Sequence, residues 1–240
     1  MIETTTIKGS GFAAGLKAMS RSVFSYVLVG TYISIGALAH DFGFSAPWAV
    51  LSTVLMWAGP AQVIIITMLG AGAPAFEVAL AIGLSGIRLL PMVVAMLPVL
   101  KTPATRHRDL LLPAHFTAAS MWVEVLRLAP NIPREARIGF ANGIGGGFMA
   151  VAVVFCIVGH YLASSLPALL VAGLLFLTPM SFLISVIQNA RLLSDGLALV
   201  FGLVLAPLLA IYSVNLDLLW TGLIGGAAAY AIHRFREAMR

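Results

Sequence analysis

The sequence predicts an all-α protein, a polytopic bundle of seven or eight transmembrane helices, some of them broken at proline or glycine. Its 240 residues are 60% hydrophobic and only 10% charged, with a mean hydropathy of +1.02. A soluble domain carries about 25% charged residues, so nine acids and fourteen bases cannot cover a globule of this size. Apolar runs of about 20 residues, the length that spans a bilayer, recur along the chain. The lipid bilayer is therefore the expected surrounding of most of its surface.

Seven stretches have the length and composition of spanning helices. They are 22–40, 48–69, 77–100, 138–159, 168–189, 196–214 and 216–233. An eighth stretch, 111–128, is more polar; it either spans with a polar face toward the bundle or lies in the interface as an amphipathic segment. Strands are not expected, because period-2 alternation is absent and the runs exceed the length of barrel strands. No long linker interrupts the chain, so 1–240 is predicted to form a single integral membrane domain.

The basic residues stand in short groups between the apolar runs, as topology-setting loop charges do. They form no continuous patch, so the net charge of +5 does not indicate binding to nucleic acid. The loop charges do not decide the orientation: eight spans with the N-terminus inside and seven with it outside place equal numbers of bases on the cytoplasmic side.

The chain lacks the motifs of the enzyme classes that a sequence reveals most readily. It has no nucleophile elbow, no phosphate-binding Gly-Lys loop and no HExxH pair. Its five histidines lack the spacing of metal ligands, and the single cysteine, Cys156, is expected to behave as a small hydrophobe. We therefore expect no catalytic activity, no metal and no cofactor.

Arg88 stands near the middle of the stretch 77–100. Arginine at mid-bilayer costs about 2.5–3.5 kcal/mol on insertion scales, so the side chain should face a bundle interior or water. Its guanidinium suits bidentate binding of a substrate carboxylate, and Ser85 lies one turn earlier on the same face. The alternative is a structural ion pair, with Glu124 or with an acid of a partner subunit.

The stretch 48–69 is interrupted by Gly59 and Pro60, followed by Gln62. Pro60 cannot donate a hydrogen bond to the carbonyl of Met56. A carbonyl freed in this way at membrane depth must be satisfied by protein or by a wet cavity. These three residues are predicted to form part of a binding site; a simple kink in a packed helix is the alternative.

A second proline-broken stretch repeats this arrangement, with Thr178, Pro179 and Ser181 in 168–189. Paired interrupted helices in the two halves of a chain indicate a transporter binding site. Helix packing explains this second set equally well. The predicted repeats are 15–100 and 138–219, linked by 101–137.

Glycines recur at intervals of four in the stretch 138–159, at Gly139, Gly143 and Gly147. This spacing places them on one helical face and permits close approach of a neighbouring helix. Local unwinding at Asn142, exposing a binding group, is the alternative.

Polar residues in 111–128 form a stripe that includes His115 and Glu124. Glu124 can pair with Arg127 at i,i+3. Either His115 or Glu124 is a candidate for proton coupling; the alternative is the polar end of an interfacial segment.

The order of these features resembles the AzlC family, the large subunit of two-component bacterial exporters of branched-chain amino acids. The resemblance runs from about residue 12 to 232. It is carried by 15–18, by 58–62, by the stretch that contains Arg88, by 116–117 and by 166–179.

This resemblance implies a multi-pass transporter of the bacterial cytoplasmic (inner) membrane, driven by an ion gradient. It implies a small AzlD-type membrane subunit as partner and leucine, isoleucine, valine or a related apolar amino acid as substrate. It also favours eight spans, because the polar fourth segment belongs to the helical core of the family.

The chain departs from the family pattern at two places. An acidic pair that often follows the threonine of the fourth segment is replaced by Ala118 and Ala119, and an asparagine that commonly precedes the arginine is replaced in Ser85-Gly86. Two other functions therefore stay open. The protein is a permease for another small organic anion held by Arg88, or a structural membrane subunit whose partner carries transport.

Overall fold

The computed structural model describes residues 11–165, 167, 169–170, 173, 176, 180, 183, 193–212 and 217–238. Within these residues every regular element is a helix, as predicted, and none is a strand. The chain divides into two compact units, 1–178 and 179–240. The predicted repeats include residues of both units, so the repeat stays a prediction.

The first unit contains nine α-helices within 11–165. They are α1 (Gly11–Ser20), α2 (Val23–Asp41), α3 (Ala46–Met56), α4 (Gly59–Gly70), α5 (Ala75–Gly86), α6 (Leu89–Leu100), α7 (Leu111–His115), α8 (Ala119–Leu128) and α9 (Arg137–Ser165). Short 3-10 turns at His107–Leu110, Ala129–Asn131 and Arg134–Ala136 connect the last of these.

The core of this unit forms around α9, the longest helix. Helices α1, α2, α3, α6, α7 and α8 all pack against it. Phe140, Ile144 and Phe148 of α9 are fully or almost fully buried, as are Ile35 of α2 and Ile66 of α4. The apolar residues on one side of each surrounding helix thus share a single hydrophobic core.

Glycines allow α9 to approach its two N-terminal neighbours at backbone distance. A methyl group at Gly36 of α2 would collide with the carbonyl oxygen of Cys156, and one at Gly159 would collide with that of Ile33. The same holds at Gly143, which faces the carbonyl of Phe12 in α1. Small residues at contact points are the usual means of tight helix packing in membranes.

Three helices of the described residues are both long and apolar enough to cross a membrane. They are α2, α9 together with the turn before it, and the helix 193–211. Helices α5 and α6 qualify as a fourth span when taken together, although they are bent by 42°. The predicted span 48–69 is instead divided into α3 and α4, of 11 and 12 residues. The count of seven or eight spans stays a prediction.

The stretch 111–128 does not form a single helix that spans the bilayer. The segment is divided into α7, of five residues, and α8, of ten residues. At 1.5 Å per residue, α8 is about 15 Å long, half the thickness of a hydrocarbon core. Pro113 lies within α7, and the chain leaves helical geometry at Ala118, which is extended. Neither helix spans by itself.

The second unit contains α10 (Leu193–Ile211) and α11 (Asp217–Ala238). The two helices pack against each other where Gly225 faces Phe201. The predicted span 168–189 falls almost entirely on residues outside those described.

Candidate functional site

The predicted interruption of 48–69 is a break between α3 and α4. Helix α3 ends at Met56, Trp57 adopts the positive φ of 20°, and Ala58 is extended. Gly59 and Pro60 then begin α4. A proline in the first turn needs no N–H donor, so Pro60 starts a helix here rather than kinking one. The break is confirmed, and its geometry is that of two half-helices.

Side chains from two other elements hold this break in place. The indole Nε1 of Trp57 donates to the carbonyl of Phe116 at 2.8 Å, and its ring stacks on Tyr32 of α2 with centroids 6.0 Å apart. The Nε2 atom of His115 lies 2.9 Å from the carbonyl oxygen of Val54. A non-glycine residue keeps a positive φ only when its surroundings fix the backbone there. Two of these contacts are made by Trp57 itself, and the third is made by Val54 at the end of α3.

Gln62 of α4 lies completely buried behind the break. Its Nε2 donates to the hydroxyl oxygens of Ser52, at 3.0 Å, and Thr53, at 2.7 Å. Both hydroxyls donate in turn to the carbonyl of Ala49. The amide hydrogens of Gln62 are thereby used, and its Oε1 is buried without a hydrogen-bond partner among the described residues. A buried acceptor of this kind costs free energy until a donor reaches it.

Arg88 lies at a second break. Helix α5 ends at Gly86, α6 begins at Leu89, and Arg88 between them is exposed. The predicted span 77–100 is therefore a pair of half-helices that is bent at the arginine itself. Two turn residues, Ile87 and Arg88, separate the half-helices, which are bent by 42°.

No carboxylate among the described residues pairs with Arg88. The predicted alternative partner, Glu124, is engaged elsewhere. Glu77 begins the same helix pair eleven residues away, about 16 Å along a helix axis. Ser85 stands on the last turn of α5, partly buried, without a recorded bond to the arginine.

Glu124 of α8 is buried and belongs to a structural ion pair. Its carboxylate accepts from Arg127 at 2.5 Å and from the hydroxyl of Ser22 at 2.5 Å. Ser22 is the N-cap of α2 and also accepts from the amide of Phe24. The i,i+3 pair predicted between Glu124 and Arg127 is confirmed. The hydrogen bond from Ser22 joins α8 to the start of α2. Both oxygens of the Glu124 carboxylate therefore already have a partner.

The glycine face of α9 serves helix packing, as the spacing predicted. Gly139 and Gly143 face the backbone of α1, and Gly147 faces its Leu16 and Met19 side chains. The alternative of local unwinding at Asn142 is wrong, because α9 is continuous through Arg137–Ser165.

Asn142 itself retains one feature of a binding residue. Its Oδ1 is buried without a hydrogen-bond partner in the described part of the chain.

The predicted residues are only partly brought together. Gly59, Pro60 and Gln62 share α4, and His115 lies beside the same break. No recorded contact joins Arg88 to this group among the described residues. Thr178, Pro179 and Ser181 lie outside the described residues.

The prediction from sequence missed several members of the site around Gln62. Ser52 and Thr53 lie within the apolar stretch 48–69, where two adjacent hydroxyls are a signal for a buried polar partner. Tyr32 and the backbone of Trp57 carry no comparable signal. Within the described residues, no cluster of three metal-ligating side chains occurs.

Comparison with protein-family models gives a match to this chain. The family model described as AzlC protein matches residues 23–166, more than half of the chain. No curated protein and no solved structure matches the chain.

Proposed function

Because this match shows that the chain belongs to the AzlC family, we propose that it is a secondary transporter subunit that exports branched-chain or other small apolar amino acids. The family and the apolar helices fit a membrane protein with a role in transport. The proposal includes the substrate, the direction of transport and a small AzlD-type subunit as partner. It also includes a multi-pass location in the bacterial cytoplasmic membrane and the absence of enzymatic activity.

The observation that carries the proposal is the position of Arg88. The guanidinium lies at the break of an apolar helix pair and has no carboxylate partner among the described residues, so it is available to bind an anion from outside the chain. The carboxylate of an amino acid matches its two parallel N–H donors.

The break between α3 and α4 provides a second set of candidate binding groups, which no contact among the described residues joins to Arg88. The unpaired Oε1 of Gln62 accepts hydrogen bonds, as an ammonium group would supply. The N-terminus of α4 presents backbone N–H groups, which favour negative charge. Substrate binding at interrupted helices is the arrangement found in many transporter folds.

The test is efflux of labelled solutes from membrane vesicles, with and without a co-expressed small partner. Leucine, isoleucine, valine and methionine are compared with small organic anions that lack an amino group. Arg88→Ala should abolish efflux and Arg88→Lys should restore little of it, because lysine lacks the bidentate geometry.

Arg108→Ala is the matched control, since it removes a guanidinium that is 72% exposed in a connecting segment. Normal efflux by a folded Arg88→Ala protein would refute the central role of this residue. Efflux of organic anions instead of amino acids would favour the anion permease, and efflux by the partner alone would favour a structural subunit.

A further inference from the structure

Two histidines meet where α2 ends beside α9. His160 of α9 is only 9% exposed, and its Nε2 lies 2.8 Å from the carbonyl oxygen of Phe44. The ring of His40, half-buried in the last turn of α2, stands edge-on to it with centroids 5.2 Å apart. Both residues fall in apolar stretches, and the proposed substrate site uses neither.

The bond to Phe44 determines the tautomer of His160. A carbonyl oxygen only accepts, so Nε2 carries the hydrogen and Nδ1 of the neutral ring holds a lone pair. This Nδ1 atom is buried without a hydrogen-bond partner in the described part of the chain. The lone pair of a neutral imidazole is the place where the ring takes up a second proton.

We infer that His160 binds the coupling proton of the transporter at Nδ1 and that His40 passes this proton between His160 and water. The inference rests on the proposed transport function and names its coupling ion. In the binding step Nδ1 takes one proton and the ring becomes an imidazolium, while Nε2 still donates to Phe44. Release returns the proton and restores the neutral ring.

Few other titratable groups surround the pair. From α2 there are Tyr32, two turns before His40, and the exposed Asp41 that ends the helix. From α9 there are Cys156, one turn before His160, and Tyr161, whose ring lies 5.6 Å from it. Helices α3 and α4 carry none. Within the described residues no carboxylate forms a hydrogen bond with either ring. No counter-ion among them therefore holds a proton on the pair. A site that binds and releases a proton in each transport cycle requires this.

The two proton-coupling candidates predicted from sequence are less suited to this role. The carboxylate of Glu124 is held by Arg127 and Ser22. His115 also meets a backbone carbonyl, that of Val54, but its side chain is exposed. His107, which is exposed in the 3-10 turn His107–Leu110 and lies at neither break, is a matched control for His160.

The experiment uses the whole protein, with its partner, in proteoliposomes under an imposed pH gradient or an imposed sodium gradient. Glutamine at position 160 retains a donor for the Phe44 carbonyl but binds no proton. His160→Gln should reduce transport driven by the pH gradient at least about tenfold, a 1.4 kcal/mol effect, and His40→Gln should slow it. Exchange of labelled for unlabelled amino acid without a gradient should persist in both variants, and His107→Gln should behave as wild type. The inference is overturned if His160→Gln still responds fully to the pH gradient, or if only sodium drives the wild-type protein.

A second measurement uses only the wild-type protein, so it does not depend on whether a variant folds. Nitrogen-15 NMR of the imidazole rings in the wild-type protein reports whether Nδ1 of His160 takes up a proton as the pH is lowered. Proton uptake is expected, and a ring that stays neutral at every pH at which the protein is folded would overturn the inference. Wild-type protein that transports no amino acid under any gradient would refute the proposed function, and the NMR titration would then decide separately whether the pair binds a proton.

Discussion

Alanine at Gly36 should destabilise the protein through a collision between backbones. The added methyl group would overlap the carbonyl oxygen of Cys156 and lie 2.8 Å from the amide nitrogen of His160. Both atoms belong to the backbone of α9, so no side-chain rotation relieves the contact and the helices must separate. Gly30 stands on the same helix with nothing within 4 Å of an added methyl group, which makes Gly30→Ala the matched control.

The expected difference follows from two opposing terms. Alanine is favoured over glycine within a helix by about 1 kcal/mol, and this difference stabilises both variants. Overpacking costs about 1–3 kcal/mol, and the upper end applies at Gly36 because backbone atoms collide. Gly36→Ala should therefore lose about 2 kcal/mol of stability, and Gly30→Ala should gain about 1 kcal/mol.

Thermal unfolding in detergent, followed by tryptophan fluorescence, measures this difference. At about 2–4 °C per kcal/mol for a chain of this size, the Tm of Gly36→Ala should lie roughly 6–12 °C below that of Gly30→Ala. Equal Tm values for the two variants would refute the close approach of α2 and α9.

Four further variants test the remaining contacts. Trp57→Phe removes the hydrogen bond to Phe116 while retaining an aromatic ring, and should cost about 1 kcal/mol in the same unfolding assay; an unchanged Tm would show that this bond does not support the break. Arg127→Ala should lower the Tm more than Glu124→Gln, because it leaves a buried carboxylate without its counter-ion; the reverse order would contradict a charged Glu124. Gln62→Leu should fold normally yet transport about ten- to hundredfold more slowly, as loss of a hydrogen bond to a charged group predicts; full transport would mean that this amide does not meet the substrate.

The sequence predicted those features that depend on local chemistry. Pro60 marked a helix interruption because proline lacks a donor, and the glycines of α9 marked close packing because their spacing matches the helical period. Membrane character followed from composition alone. Glu124 and Arg127 were paired correctly, since i,i+3 neighbours meet on any helix.

Features that depend on contacts distant in the chain were not predictable in this way. The break at Arg88 carries no local signal, because Gly86 is tolerated within helices and Pro91 lies in the first turn of the next one. His40 and His160 are 120 residues apart in sequence and meet only because α2 packs along α9. The sequence left open whether 111–128 spans the membrane or lies in the interface, and the extended Ala118 divides it into two short helices.

Direct backbone contact at Gly36 and Gly159 leaves α2 and α9 no room to slide or turn against each other. These helices form a fixed scaffold. The half-helices around Arg88 differ, because this break carries no continuous series of backbone hydrogen bonds that movement would have to disrupt. Any motion of the first unit that turns a binding site from one side of the membrane to the other is therefore expected at this hinge.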